Sequence, residues 1–150
     1  MIVIGYQGIG KSTLSKHDLR FIDLESGNFW VDGKRADDWY IPYCQIAEHL
    51  SAQGYVVFTS SHDVVRNRLI DSKEQVICCV PDLSLKNEWI EKLKSRHEES
   101  GLDKDYKAYM NAKERFTENI QEISSSGFGV LWLETMNYDL EELVLRCKLD

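Results

Sequence analysis

Only two prolines occur in the 150 residues, and no Pro-rich linker, low-complexity tract or internal repeat interrupts the chain. A single domain over residues 1–150 is expected, long enough to bury a sizeable core. No apolar run approaches the roughly 18 residues of a membrane span. The opening MIVIGYQ is neither basic nor long enough for a secretory leader. The four cysteines form no CxxC and no Cys/His ligand spacing, and Cys78 and Cys79 lie inside the apolar run QVICCV. Buried thiols are therefore expected rather than a zinc site or a disulfide framework. Together these absences point to a cytoplasmic protein without a membrane partner. An excess of positive charge is missing too: 18 Lys and Arg stand against 25 Asp and Glu, for a net charge of −7. That balance disfavours long nucleic acid as a partner, although site geometry still allows a local positive cleft.

What is present is a regular alternation. Five short apolar runs read as buried strands: MIVIG (1–5), RFIDLE (20–25), YVVFTSS (55–61), QVICCV (75–80) and GVLWLET (129–135). Helical patterns lie between and after them. DDWYIPYCQIAEHLSAQG places Trp39, Ile46 and Leu50 at helical spacing and stops at Gly54. DVVRNRLID, LKNEWIEKLKSRHEES and KDYKAYMNAKERFTENIQEISSSG follow. The last carries Tyr106, Tyr109, Met110, Phe116, Ile120 and Ile123 near one stripe. NYDLEELVLRCKL closes the chain as a helix with Asn137 or Asp139 near its start. Strand–helix alternation argues an α/β domain with a parallel sheet and helices on both faces.

The most specific stretch is GYQGIGKST, residues 5–13, in which Gly5, Gly10, Lys11 and Ser12 match G-x-x-x-x-G-K-[ST] in full. Glycines let the chain curl so that successive backbone N–H groups face phosphate oxygens. The Lys ammonium reaches the β- and γ-phosphates, the Ser hydroxyl ligates Mg²⁺, and the following helix N-terminus adds positive potential. A strand before the motif and a helix after it are the confirming context. Gly5, Gln7, Gly8, Ile9, Gly10, Lys11, Ser12 and Thr13 are thus the expected ATP- or GTP-binding residues, with Ser12 on the metal.

In order along the chain, GYQGIGKST, FIDLES, GYVVFTSSHDVVRNRL and LKNEWIEKLKSRH resemble the small P-loop kinases that include nucleoside-monophosphate kinases, shikimate kinase and gluconate kinase. The resemblance implies a three-layer P-loop NTPase fold with a five-stranded parallel sheet of order 2-3-1-4-5, and a lid near 96–106. It implies ATP and Mg²⁺ as cofactors and transfer of the γ-phosphoryl group to a small acceptor, first a nucleoside or nucleoside monophosphate. A sugar acid, another metabolite or a polynucleotide 5′-hydroxyl is the alternative acceptor. A non-catalytic ATP-binding protein and a GTP-operated switch are the other classes, the switch disfavoured because N-K-x-D is absent. Monomer and homodimer both stay open. Two departures stand out: only residues 13–19 separate the loop from the second strand, and no hydrophobic run ending in an Asp of Walker B type occurs.

Asp23 and Glu25 end the second strand at i and i+2, on one side and next to the ligand crevice of an open α/β sheet. The resemblance gives Asp23 the acceptor hydroxyl and the role of base; a solvated strand-end acid is the plainer alternative. Asp23 is also the substitute for the missing metal-supporting carboxylate. Ser61 and Arg66 match acceptor-pocket residues loosely, against helix capping and an ion pair. Lys92, Lys94, Arg96 and His97 either complement a helix C-terminus or open the lid, with Arg96 as the lid cation ahead of Lys104 and Arg115. Arg35, among Phe29, Trp30, Trp39, Tyr40 and Tyr43, is a candidate for an acceptor phosphate. Its aromatic neighbours divide between core and base stacking. Asn137 divides between the adenine and a helix cap.

Overall fold

A computed structural model of the chain describes residues 1–149. Its centre is β1 (Ile2–Gly5), whose Ile2, Val3 and Ile4 are fully buried, as a run apolar on both faces requires. β2 (Phe21–Asp23), β3 (Val56–Thr59), β4 (Val76–Pro81) and β5 (Gly129–Leu133) complete a five-stranded sheet in the order 2-3-1-4-5. Every pairing is parallel; Ile2 stands beside Val57 on one side and Val76 on the other. β2 and β3 stop two residues short of their expected carboxyl ends. There the chain leaves the ladder to form the crevice.

The first crossover is as tight as the sequence demands. α1 (Lys11–His17) has seven residues, and the Asp18 carboxylate accepts a hydrogen bond from the Arg20 amide (2.9 Å) to turn the chain into β2. α2 (Tyr40–Ala52) turns Tyr43, Cys44, Ala47 and Ser51 inward, so Ile46, one of the apolar residues at helical spacing, is 41% exposed. α3 (Asp63–Leu69) follows β3. α4 (Lys86–Ser100) ends at Gly101, whose φ of +66° lets the chain reverse directly into α5 (Asp103–Ser124). The two form an antiparallel pair. α5 breaks at Arg115 (φ −136°), and its buried stripe is Ala112, Phe116, Ile120 and Ile123. Tyr106, expected on that stripe, faces outward. α6 (Leu140–Cys147) is capped by Asp139, which accepts from the Glu142 amide (3.1 Å). Asp139, not Asn137, is that cap. The thiols of Cys44, Cys78 and Cys79 are buried and unbridged. No helix among the described residues is long and apolar enough to cross a membrane.

Candidate active site

Residues 5–10 curl between β1 and α1, and packing explains their glycines. A Cβ at Gly5 would lie 2.7 Å from Ile9 Cδ1 and 2.9 Å from Lys11 Cδ. At Gly8, φ is +88° and a Cβ would meet Leu93 Cδ2 at 2.9 Å and Trp89 Nε1 at 3.1 Å. The loop is held from behind through its carbonyls. Trp89 Nε1–H donates to the Gln7 carbonyl (2.9 Å), and the Tyr138 hydroxyl donates to the Ile9 carbonyl (2.7 Å). Lys92 Nζ donates to that Tyr138 oxygen (3.1 Å) and lies 4.4 Å from the Trp89 ring centroid, and the Trp89 and Tyr138 rings stack. Two of the loop's carbonyls are thus engaged on its back, which frees the amide side for an anion. Lys11 Nζ donates to the Gly5 carbonyl (3.2 Å). Burial lowers the Lys11 pKa, and the charges of Asp23 and Glu25 partly restore it.

Asp23 ends β2 beside this ammonium. Burial pushes its pKa up to about 6; Lys11 opposes the shift and the neighbouring Glu25 reinforces it. Tyr43 braces the same corner: its hydroxyl donates to the Leu24 carbonyl (2.6 Å) and accepts from the Ser60 amide (2.8 Å). One buried phenol thereby ties the end of β2 to the end of β3.

Two adjoining clefts open at the carboxyl end of the sheet. The first, about 890 Å³, is lined by residues 7–14 of the loop and α1, by Asp23 and Glu25, by Lys92 and Arg96, and by Met136, Tyr138 and Asp139. The second, about 760 Å³, is lined by Gly5 and Tyr6, by Trp30 and Arg35, by Ser60, Ser61, His62 and Arg66, and by α5 from Lys104 to Ile123. Gln7, Lys11, Glu25, Lys104 and Ala108 line both. Five Lys and Arg face three acids in the second cleft, a positive region in an acidic chain.

Most of the expected site residues gather here. Gln7, Gly8, Ile9, Gly10, Lys11, Ser12 and Thr13 line the first cleft; Gly5, Arg35, Ser61 and Arg66 line the second. Asp23 lines only the first, whereas Glu25 reaches both. Arg96 lines the first cleft with Nε 3.1 Å from Asp105 Oδ1, and buried Asp105 also accepts from the Ser100 hydroxyl (2.5 Å). Residues 96–106 thus form the tip of the α4–α5 pair. Arg115 and Asn137 line neither cleft; Met136 and Tyr138, on either side of Asn137, line the first. Arg66 is buried, donating to the Ser61 carbonyl (3.1 Å) and pairing with Glu122 Oε1 (2.8 Å). Of the aromatic cluster, Trp39 and Tyr43 are core and Phe29 packs on them, while Trp30 stays 52% exposed at the second cleft. Sequence reasoning missed Tyr6, Trp89 and Asp105. Only the spacing of Trp89 and Leu93 within α4 hinted at a wall behind the loop.

A parallel sheet of order 2-3-1-4-5, flanked by helices and with a glycine-rich loop after its central strand, is the fold of the P-loop kinases. Among solved structures the chain is similar to shikimate kinase from Bacteroides thetaiotaomicron, with a TM-score of 0.51 over 97% of this chain and 93% of that one at 13% identity. At that identity the likeness speaks to fold. No family model matches the chain, and no curated protein matches its sequence.

Proposed function

We propose that this protein transfers the γ-phosphoryl group of Mg·ATP to a small acceptor, a nucleoside or nucleoside monophosphate in the first place. The observation that carries this reading is the meeting of two clefts at Lys11. A triphosphate on the loop amides puts its terminal phosphate beside that ammonium, where an acceptor in the second cleft can reach it. Phosphoryl transfer asks mainly for such positioning and for charge neutralisation. Glu25, which lines both clefts, takes the acceptor's proton in this reading, and Asp23, which lines only the first, supports the metal. The α4–α5 tip is the lid: Arg96, now paired with Asp105, turns to the triphosphate when it closes over the nucleotide and excludes water.

The residues present fit Mg²⁺. The Ser12 hydroxyl makes no hydrogen bond within the described residues, and no cluster of three metal-ligating side chains occurs among them. Such a donor set suits an ion that takes one or two protein oxygens and completes its shell with phosphates and water. Ser12 would hold it, with Asp23 behind it; when bound, the ion neutralises charge on the transferring group.

A second reading, an ATP-binding protein without transfer, draws on the end of β3, where Thr59, Ser60 and Ser61 stand in place of a carboxylate. One assay separates the two. ADP formation from Mg·ATP is measured against nucleosides, nucleoside monophosphates and sugar acids, with calorimetric ATP binding in parallel. Acceptor-dependent turnover that falls about 10²- to 10³-fold in Lys11→Ala is expected. ATP binding without turnover selects the second reading, and no ATP binding by the intact protein overturns both.

A further inference from the structure

The end of β3 carries a hydroxyl that caps nothing. Ser60 Oγ lies 2.8 Å from His62 Nδ1 and accepts from no amide of α3, whose Val64 amide donates instead to Asp63 Oδ1 (2.8 Å). In the tautomer with the ring proton on Nε2, the hydroxyl donates to Nδ1. A serine so bonded to a neutral imidazole has the arrangement of an activated nucleophile and its base. Burial lowers the His62 pKa, the Arg35 charge lowers it further against the pull of Asp63, and Lys11 adds to the fall. The ring is therefore neutral at neutral pH and able to take a proton.

One buried indole sets this geometry. Trp39, 8% exposed, meets the His62 ring edge-on with 5.3 Å between centroids, and the Arg35 guanidinium lies 3.9 Å from its centroid. Arg35 follows a turn closed by hydrogen bonds between Val31 and Lys34 (2.7 and 3.0 Å). The Tyr43 hydroxyl accepts from the Ser60 amide (2.8 Å) and fixes the backbone under the pair. Strand register brings the pair to the loop. Ile4 stands beside Thr59, so Ser60 leaves β3 where Gly5 ends β1, one strand spacing of about 5 Å away. Lys11 Nζ donates to the Gly5 carbonyl, and Gly5, Lys11, Arg35, Ser60 and His62 line the second cleft together.

We infer that Ser60 is a self-modification site: with no acceptor in the second cleft, it takes the terminal phosphoryl group of a triphosphate on the loop, with His62 as its base. The inference rests on the phosphotransferase reading for its donor and adds regulation to it. In the step, the Ser60 hydroxyl gives its proton to His62 Nδ1 while Oγ bonds the γ-phosphorus. The bond from that phosphorus to the oxygen bridging it to the β-phosphate breaks, and ADP leaves with the electron pair. The phosphoserine brings about two negative charges among Lys11 and Arg35, which pair with it and close the second cleft. A bound acceptor covers Ser60, so the block forms only where acceptor is scarce.

Two probes of the full chain test this. A fluorophosphonate ester without nucleotide reads the nucleophile alone, since Oγ displaces fluoride from phosphorus as His62 takes the proton. Mg·ATP without acceptor reads self-transfer, located by peptide mass spectrometry, with ATP affinity followed by calorimetry. Both probes are expected to mark Ser60, and Ser60→Ala to lose both marks. His62→Gln keeps a hydrogen-bonding partner but no base, and should slow both by about 10²-fold, with Tm and ATP affinity near those of the unaltered chain. His62→Ala does the same if the glutamine variant folds poorly. Chain phosphorylated beforehand should have lost transfer to small acceptors. A Ser60 left bare by the fluorophosphonate, phosphate found on another residue instead, marking undiminished in both His62 variants, or full transfer by the phosphorylated chain overturns the inference. ATP that binds and reaches a small acceptor but never Ser60 overturns it too, and leaves the phosphotransferase reading standing. No ATP binding overturns both.

Discussion

The first cleft is walled chiefly by backbone: a loop whose carbonyls are engaged from behind by Trp89 and Tyr138, plus one lysine. The second is walled by side chains gathered from the end of β1, the flanks of the turn at 31–34, the β3–α3 junction and α5. A backbone cradle is fixed by a few neighbouring residues and by what packs on its back. A side-chain cradle holds only as well as the distant elements that carry it. The difference teaches that, on the reading proposed above, nucleotide grip and acceptor choice have separate structural supports, so that single substitutions should move one with little effect on the other.

The sharpest break in that separation should come from Gly8→Ala. The left-handed φ penalises any Cβ by about 1–2 kcal/mol, and contacts near 3 Å with Leu93 and Trp89 add overpacking strain. Thermal unfolding should show a loss of about 2–3 kcal/mol, with ATP affinity down at least tenfold and monophosphate binding little changed. Equal loss on both sides would mean that the two clefts share one support.

Asp23→Asn comes next, because it sets stability against transfer. The folded pKa of about 6 lies above the ordinary 3.8, so the native state holds an extra proton between those values. Stability from Asp23 is therefore full below about pH 4 and lost as pH rises through 6. Asparagine removes that loss. Above pH 6 the variant should gain on the order of 1 kcal/mol, after allowing for the carboxyl's partial solvent screening, while transfer drops about 10²-fold. A variant less stable than wild type at pH 7.5 would show that the carboxylate is held by favourable contacts instead.

The smallest effect is expected from Tyr138→Phe, which keeps the stacked ring and removes the donor to the Ile9 carbonyl. Losing one such bond is worth about 1 kcal/mol. KM for ATP should rise roughly fivefold and KM for the acceptor stay level. An acceptor KM that moves with it would tie the loop's back wall to the second cleft.

The glycine-rich loop was legible because its pattern is local: Gly5, Gly8, Gly10, Lys11 and Ser12 lie within eight residues of one another. The central strands β1, β3 and β4 were legible for a similar reason, since runs buried on both faces need no partner to be seen. The edge strand β2 buries only Phe21 and β5 only Leu133, so their expected full burial does not hold. The carboxyl ends of β2 and β3 were read too long, because Ser60 and Glu25 leave the ladder only where the crevice opens. The helical spacing of Trp39, Ile46 and Leu50 marked α2 but did not say which of its faces meets the sheet, and Ile46 lies 41% exposed. Arg66 stood between an acceptor contact and an ion pair; its partner Glu122 lies 56 residues away, a distance that no local pattern spans.

From its order of residues alone this polypeptide determined a parallel α/β domain with a glycine-rich loop between its first strand and first helix, because hydrophobic periodicity and glycine spacing act over a few residues. Tertiary structure alone decided that Asp23 serves one cleft while Glu25 reaches two. It likewise decided that the Tyr6 hydroxyl is buried without a hydrogen-bond partner among the described residues, and that Trp89 and Tyr138 hold the loop from behind. These outcomes depend on packing between segments some 80 to 130 residues apart, and contacts of that range exist only once the sheet has brought its crossovers together.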